Sequence, residues 1–116
     1  MSRRDPTARL RHMLSHAREA VAMVQGKRRV DLDADRQLNL ALVRLLEIIG
    51  EAASQIPESD RPADSNIPWA QIVSLRNRLI HGYDAVDFDV LWQIVTRDLP
   101  PLISCLERLV SPLPTH

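Results

Sequence analysis

Apolar residues recur at intervals of three and four along most of this chain. That spacing predicts helices rather than strands. Leu10, Met13, Leu14, Ala17, Val21 and Val24 form the first stripe. Asp5-Pro6 precedes it as a helix start: an N-cap acceptor, then a proline at the first helical position, where an N–H would lack a partner anyway. Gly26 is the predicted stop, with Lys27, Arg28 and Arg29 just beyond it. After the connector VDLDAD, a second helix is predicted from about Asp35 to Ser54, capped by Asp33 or Asp35. Leu38, Leu42, Leu45, Ile49 and Ala52 make its main face, and Leu46, Ile48 and Ala53 widen it. A helix apolar over so wide an arc is contacted on more than one side.

The segment PESDRPADSNIP, residues 57–68, is the one clear loop, and it is too short to separate two domains. A third helix is predicted to start near Pro68, with Asn66 or Ser65 as cap, and to carry Trp69, Ile72, Val73, Leu79 and Ile80. Gly82 is its predicted left-handed terminator. YDAVD turns the chain into a fourth helix from about Asp87, with Asp89 in its first turn. Leu91, Ile94, Val95, Leu102, Ile103, Leu106, Leu109 and Val110 line that helix. Pro100-Pro101 interrupts the pattern and predicts a kink or a short break there, because neither residue can donate a backbone hydrogen bond. Residues 111–116, SPLPTH, read as a flexible tail. The expected architecture is all-α: one domain over residues 1–116, an up-and-down four-helix bundle with a kinked last helix.

Composition narrows the function classes. Aromatic residues make up only 3% of the 116, so aliphatic side chains must fill the core. The single Cys105 excludes an internal disulfide and a cysteine-rich metal site. The N-terminus lacks a signal peptide's apolar core, and no run approaches the ~20 apolar residues of a membrane span. The expectation is a soluble, cytoplasmic protein with no membrane partner. Net charge is zero, which argues against a general polyanion binder. Charge is nevertheless segregated. Residues 1–30 hold eight Lys and Arg against Asp5 and Glu19, and the remainder is acidic to the same degree. The basic part can attract phosphate, dock on the acidic part of a second copy, or simply be a solvated face.

Several residues are candidates for chemistry, each beside a plainer role. His12 and His16 have the spacing that lets two imidazoles share a metal, but no third ligand accompanies them. A solvated pair is the expectation, and no metal site is expected in the chain. Cys105 reads as a small buried hydrophobe. Glu47 and Glu51 lie one turn apart around Gly50 in EIIGEAA. Two carboxylates on one face can bind metal or share a proton, but no acidic third partner accompanies them. They can equally face solvent or pair with an Arg from another helix, while Gly50 hints at close packing of another helix or subunit.

The stretch LRNRLIHGYDAVD, Leu75 to Asp87, is denser. Asn77 and His81 are four apart, so on a continuous helix they project from nearly the same side. Arg76 lies on the flank with a side chain long enough to reach around. Tyr83 follows Gly82. His titrates near neutrality and can take or give a proton. Arg offers a permanently charged fork for a phosphate. These parts are sufficient to cleave RNA without a metal. The structural alternative is a helix end with a cationic His against the C-terminal dipole and two solvated Arg.

At these residues the chain resembles the HEPN superfamily, and within it the HepT-like (DUF86) toxins, whose signature is Arg, four residues, His, any residue, Tyr. Here it reads R-NRLI-H-G-Y, Arg76 to Tyr83. LEIIGEAA, PWAQIVSLRNRLIHGY and VDFDVLWQIVTRDLPPLISCLERL resemble the family's second, third and last helical segments. The resemblance implies a HEPN-like helical bundle that forms a homodimer, with both Arg-His motifs facing one cleft. It implies a metal-independent endoribonuclease toxin of a type VII-like toxin–antitoxin pair acting on RNA without a cofactor, with Arg76 and His81 catalytic and Asn77 and Tyr83 supporting. The implied partner is an MNT-type nucleotidyltransferase antitoxin, which in some members transfers AMP to the motif Tyr, here Tyr83. Two other functions stay open: a non-catalytic helical dimer serving as partner or modification substrate of the nucleotidyltransferase, and a nucleotide-binding module.

Overall fold

The computed structural model describes residues 6–61, 66–81 and 85–110, with Pro6 and His81 given by their backbone alone. The chain is all-α in class. Helix α1 (Pro6–Met23) packs along α3 (Arg36–Ser54) and against α7 (Leu99–Val110). The first stripe does what its spacing requires: Leu10, Met13, Leu14, Ala17 and Val24 are buried, together with Ala20. Gly26 takes a left-handed φ of 76° in the turn after α1, a conformation that only a residue without Cβ adopts cheaply. Within the connector, α2 (Asp31–Ala34) is a single turn that buries Leu32. The Asp35 carboxylate then caps α3 by accepting from the Leu38 amide at 3.0 Å. Asn39 is the one buried polar side chain among the described residues, and its amide donates to the Leu32 carbonyl at 2.8 Å. That bond ties the connector to α3 and removes the penalty of burying the amide.

The loop after α3 contains one 3₁₀ turn, Glu58–Asp60. Arg61 folds back from it, donating to the Ile56 carbonyl at 3.0 Å with its guanidinium 5.2 Å from the Trp69 ring. Asn66 is not seen as the cap of the third helix. Ser65 lies outside the described residues, and Asn66 adopts a left-handed φ of 62° two residues before the Pro68 N-cap, which has no side-chain cap.

The third and fourth helices depart from the expected continuity. The third is divided at Ser74 into α4 (Trp69–Val73) and α5 (Leu75–Leu79). It ends before Gly82, because Ile80 is already extended at φ −98°, ψ 121°. Strand β1 (Ile80–His81) pairs antiparallel with β2 (Ala85–Val86), matching Ile80 to Val86 and His81 to Ala85. The Asp87 amide donates to the Leu79 carbonyl at 2.8 Å, closing the hairpin base. The Asp87 carboxylate accepts from the Asp89 and Val90 amides and so starts α6 (Phe88–Gln93). The expected kink at Pro100-Pro101 falls one turn earlier, as a π-helical turn over Ile94–Asp98 in which the Leu99 amide reaches back to the Ile94 carbonyl. A proline removes the donor to residue i−4 and crowds that residue's carbonyl, so two prolines at 100 and 101 disturb the turn holding residues 96 and 97. Helix α7 then runs through both prolines in its first turn.

The buried residues of α1, α3 and α5–α7 form one aliphatic cluster, with Leu42, Leu46, Ile49, Leu79, Leu91 and Leu106 among its fully buried members. Among the described residues, no helix is long and apolar enough to cross a membrane. The tail, 111–116, lies outside the described residues.

Part of the charge segregation is resolved within the chain. Arg18 pairs with Glu107 at 2.7 Å. Arg29 reaches Asp89 at 2.7 Å and Asp33 at 3.0 Å, with its guanidinium 6.0 Å from the Phe88 ring. Its hydrogen bond to Asp89, chiefly, raises its pKa above the ordinary value, so it stays cationic throughout the working range.

Candidate active site

The segment that carries Arg76 is placed by a contact between two backbones. A Cβ on Gly50 would stand 3.1 Å from the Ile72 carbonyl oxygen and 3.5 Å from that of Val73. The end of α4 therefore rests directly on α3, as the lone glycine in a strong helical pattern suggests. Ser74 follows at once, its hydroxyl donating to the Gln71 carbonyl at 3.2 Å, and α5 restarts beside α3.

Arg76 and Asn77 are exposed on α5 and share a groove of about 200 Å³ with Glu47, Gly50, Glu51, Ser54 and Val73. Arg76 Nε lies 3.8 Å from Glu47 Oε2, and Glu47 Oε1 lies 3.5 Å from Arg44 Nη1. Glu51 accepts instead from the Gln55 amide at 2.9 Å. Of the readings open for Glu47, pairing with an Arg of another helix is the one observed. The Arg76 side chain remains 72% exposed, so its guanidinium is open to an incoming anion.

Arg78 leaves the opposite side of α5. It donates to Asp98 in the π turn at 3.1 Å and lines a separate cavity of about 290 Å³ with Arg97, Leu102 and Cys105. The two arginines of the motif stretch thus serve different surfaces. His81 does not continue the helical register of Asn77. The helix ends at Leu79 and His81 is extended, so the shared helical face inferred from four-residue spacing does not apply. The cause is the β1–β2 ladder and the Asp87–Leu79 bond, which draw residues 80 and 81 out of the helix. Tyr83 lies outside the described residues, as does the side chain of His81.

The remaining candidates lie apart from this groove. The His12 and His16 rings meet edge-on at 6.4 Å, and His16 Nδ1 lies 2.7 Å from the His12 carbonyl oxygen. Among the described residues no group of three or more His, Cys, Asp or Glu is arranged to hold a metal. Cys105 is half-buried, with Arg108 Nη2 at 3.4 Å from its sulfur. Sequence reasoning did not find Arg44, Ser54 or Asp98 as neighbours of the motif. The signal for Arg44 was present in its three-residue offset from Glu47. Nothing local marks the other two.

An all-helical bundle with an Arg-x4-His-x-Tyr stretch where a broken helix enters a short hairpin is of HEPN type. Within that class the chain belongs to the Ribonuclease HepT-like family, which matches residues 13–109. It is 34% identical over 108 residues to a protein of Caldanaerobacter subterraneus subsp. tengcongensis named "Putative RNase", covering 93% of this chain and 96% of that one. A Methanocaldococcus jannaschii protein, also named "Putative RNase", is 36% identical over 102 residues, 88% of this chain and 94% of its own length. The "Probable ribonuclease HepT" of Thermococcus cleftensis is 40% identical over 79 residues, 68% of this chain and 72% of that one. No solved structure matches the chain.

Proposed function

We propose that this member of the family is a metal-independent endoribonuclease toxin. The observation that carries the reading is the exposed Arg76 guanidinium in a groove, five residues before His81 in the complete Arg-x4-His-x-Tyr sequence. Arg76 would hold the scissile phosphate and stabilise the charge that builds on the phosphorane. His81 would take the proton from the ribose 2′-hydroxyl or give one to the leaving 5′-oxygen. Attack of that 2′-oxygen forms a new P–O bond and breaks the bond to the 5′-oxygen, leaving a 2′,3′-cyclic phosphate and a 5′-hydroxyl. One proton is removed and one delivered, so two imidazoles serve the step better than one. A homodimer with its motifs in one cleft would supply both. Asn77, exposed beside Arg76, would orient the phosphate or a water.

The same reading assigns an MNT-type nucleotidyltransferase as antitoxin and Tyr83 as acceptor of AMP. An anionic adenylate beside the motif would repel and block an RNA backbone. A second reading, a non-catalytic dimer serving as that enzyme's partner or substrate, is favoured by the zero net charge, since RNA affinity normally draws on cationic surface.

The deciding experiment is RNA cleavage by purified protein in EDTA, beside His81→Ala and Arg76→Ala. Activity should persist with the chelator and fall at least ~100-fold in either variant. Equal cleavage by wild type and variants, or loss on chelation, would reject the mechanism. Intact mass after co-expression with an MNT-type nucleotidyltransferase should show one adenylate, absent from Tyr83→Phe.

A further inference from the structure

We propose that Glu47 is the positioning residue for Arg76, holding the guanidinium by its Nε edge so that both Nη groups face the groove. The catalytic consequence rests on the ribonuclease reading, but the positioning does not. Among the described residues, Glu47 is the one carboxylate within ion-pairing distance of Arg76, and it approaches Nε. A guanidinium has two donor edges. A carboxylate on the Nε side leaves the Nη pair for the forked contact a phosphate accepts.

Glu47 suits this role better than a freely rotating surface acid. Its side chain is only 29% exposed, and Arg44 reaches its other oxygen, so the carboxylate is steadied from two sides. Two guanidinia share the one carboxylate, so Glu47 does not cancel the positive charge of Arg76. Gly50, one turn further along α3, sets the height of the arrangement. Its missing side chain lets the Ile72 and Val73 carbonyls settle on α3, and Arg76 begins the next turn from there. Without that close approach, α5 would stand further from α3 and the contact, already 3.8 Å long, would open.

The test uses two readouts on the full chain. Arginine side-chain Nε–Hε resonances report the order of Arg76 without reference to activity. In Glu47→Gln, a neutral isostere, the Arg76 signal should move toward that of a free arginine, while Arg18, Arg29 and Arg78 keep theirs. Steady-state cleavage should show kcat falling about tenfold with KM changed less than twofold, the mark of misorientation rather than lost binding. Glu47→Asp should recover part of both effects. An unmoved Arg76 resonance overturns the proposal, whatever the rate does. A moved resonance with wild-type kcat overturns its catalytic weight. If the wild type cleaves no RNA, the resonance alone decides on positioning, and only the ribonuclease reading falls.

Discussion

Two regions of this molecule are built on different terms. In the bundle of α1, α3 and α7, long helices meet along continuous apolar stripes, and each buried position is repeated three or four residues later. In the segment from Trp69 to Asp87, the described helical pieces are five residues each, broken at Ser74, and the backbone becomes extended at Ile80. Pieces so short do not hold themselves. They are fixed from outside, by the Gly50 contact on one side and the Asp87 bonds on the other. The first region stores stability, and the second uses it to hold exposed charged groups in place.

The largest effect that would test this division belongs to the bundle. Leu46→Ala removes a fully buried side chain from the centre of α3 and should cost about 2–5 kcal/mol, read by urea or thermal unfolding. The Arg76 side-chain resonance should stay in place below the melting transition. Gly50→Ala belongs to the seam between the regions. A methyl 3.1 Å from a backbone carbonyl forces α4 outward, and the expected loss is about 1–3 kcal/mol. Here the Arg76 resonance should shift in the folded protein. A Gly50→Ala variant with native stability and an undisturbed Arg76 would erase the distinction drawn between the two regions.

That division also explains what could be read from the sequence. The bundle was legible because its determinants are local and periodic: the stripe from Leu10 to Val24, the cap at Asp35, the left-handed Gly26. Gly50 was legible as a point of close approach, since little else justifies a glycine inside such a helix. The break at Ser74 was not, because an approaching α3 accompanies it and nothing in LRNRL marks it. The irregularity expected at Pro100-Pro101 lies earlier, at Ile94–Asp98, because a proline acts on the turn four residues before its own position. Burial of Asn39 was missed because its partner, the Leu32 carbonyl, lies in a connector with no periodic signal. For the site, the motif was evident as a string of residues. Its geometry was not, because a single helical register was carried across Leu79, where the backbone becomes extended.

Two caps sharpen the comparison further. Asp35→Ala removes one accepted bond, at the start of a 19-residue helix anchored along its length. Asp87→Ala removes two, at the joint that also closes the hairpin after His81. Either should cost about 1–2 kcal/mol. Only Asp87→Ala should lower the hydrogen-exchange protection of the amide at position 87, which donates to the Leu79 carbonyl at the hairpin base, and it should do so well below the unfolding transition. Equal protection in both variants would mean that the hairpin does not depend on its cap.

The smallest expected effect concerns the basic first thirty residues. Arg18 and Glu107 are both about half exposed, so their 2.7 Å contact is screened by water and salt. Arg18→Ala should change stability by less than about 1 kcal/mol, and the difference should shrink further in 0.5 M salt. Its value lies in what it does to RNA affinity. Arg18 is bound to α7, and Arg76 faces α3. If the first helix only balances the acidic remainder of its own chain, affinity for RNA will not follow the loss of this charge. A drop in affinity with a shallower salt dependence would instead place α1 beside the bound strand and extend the RNA-binding surface beyond the segment that carries Arg76.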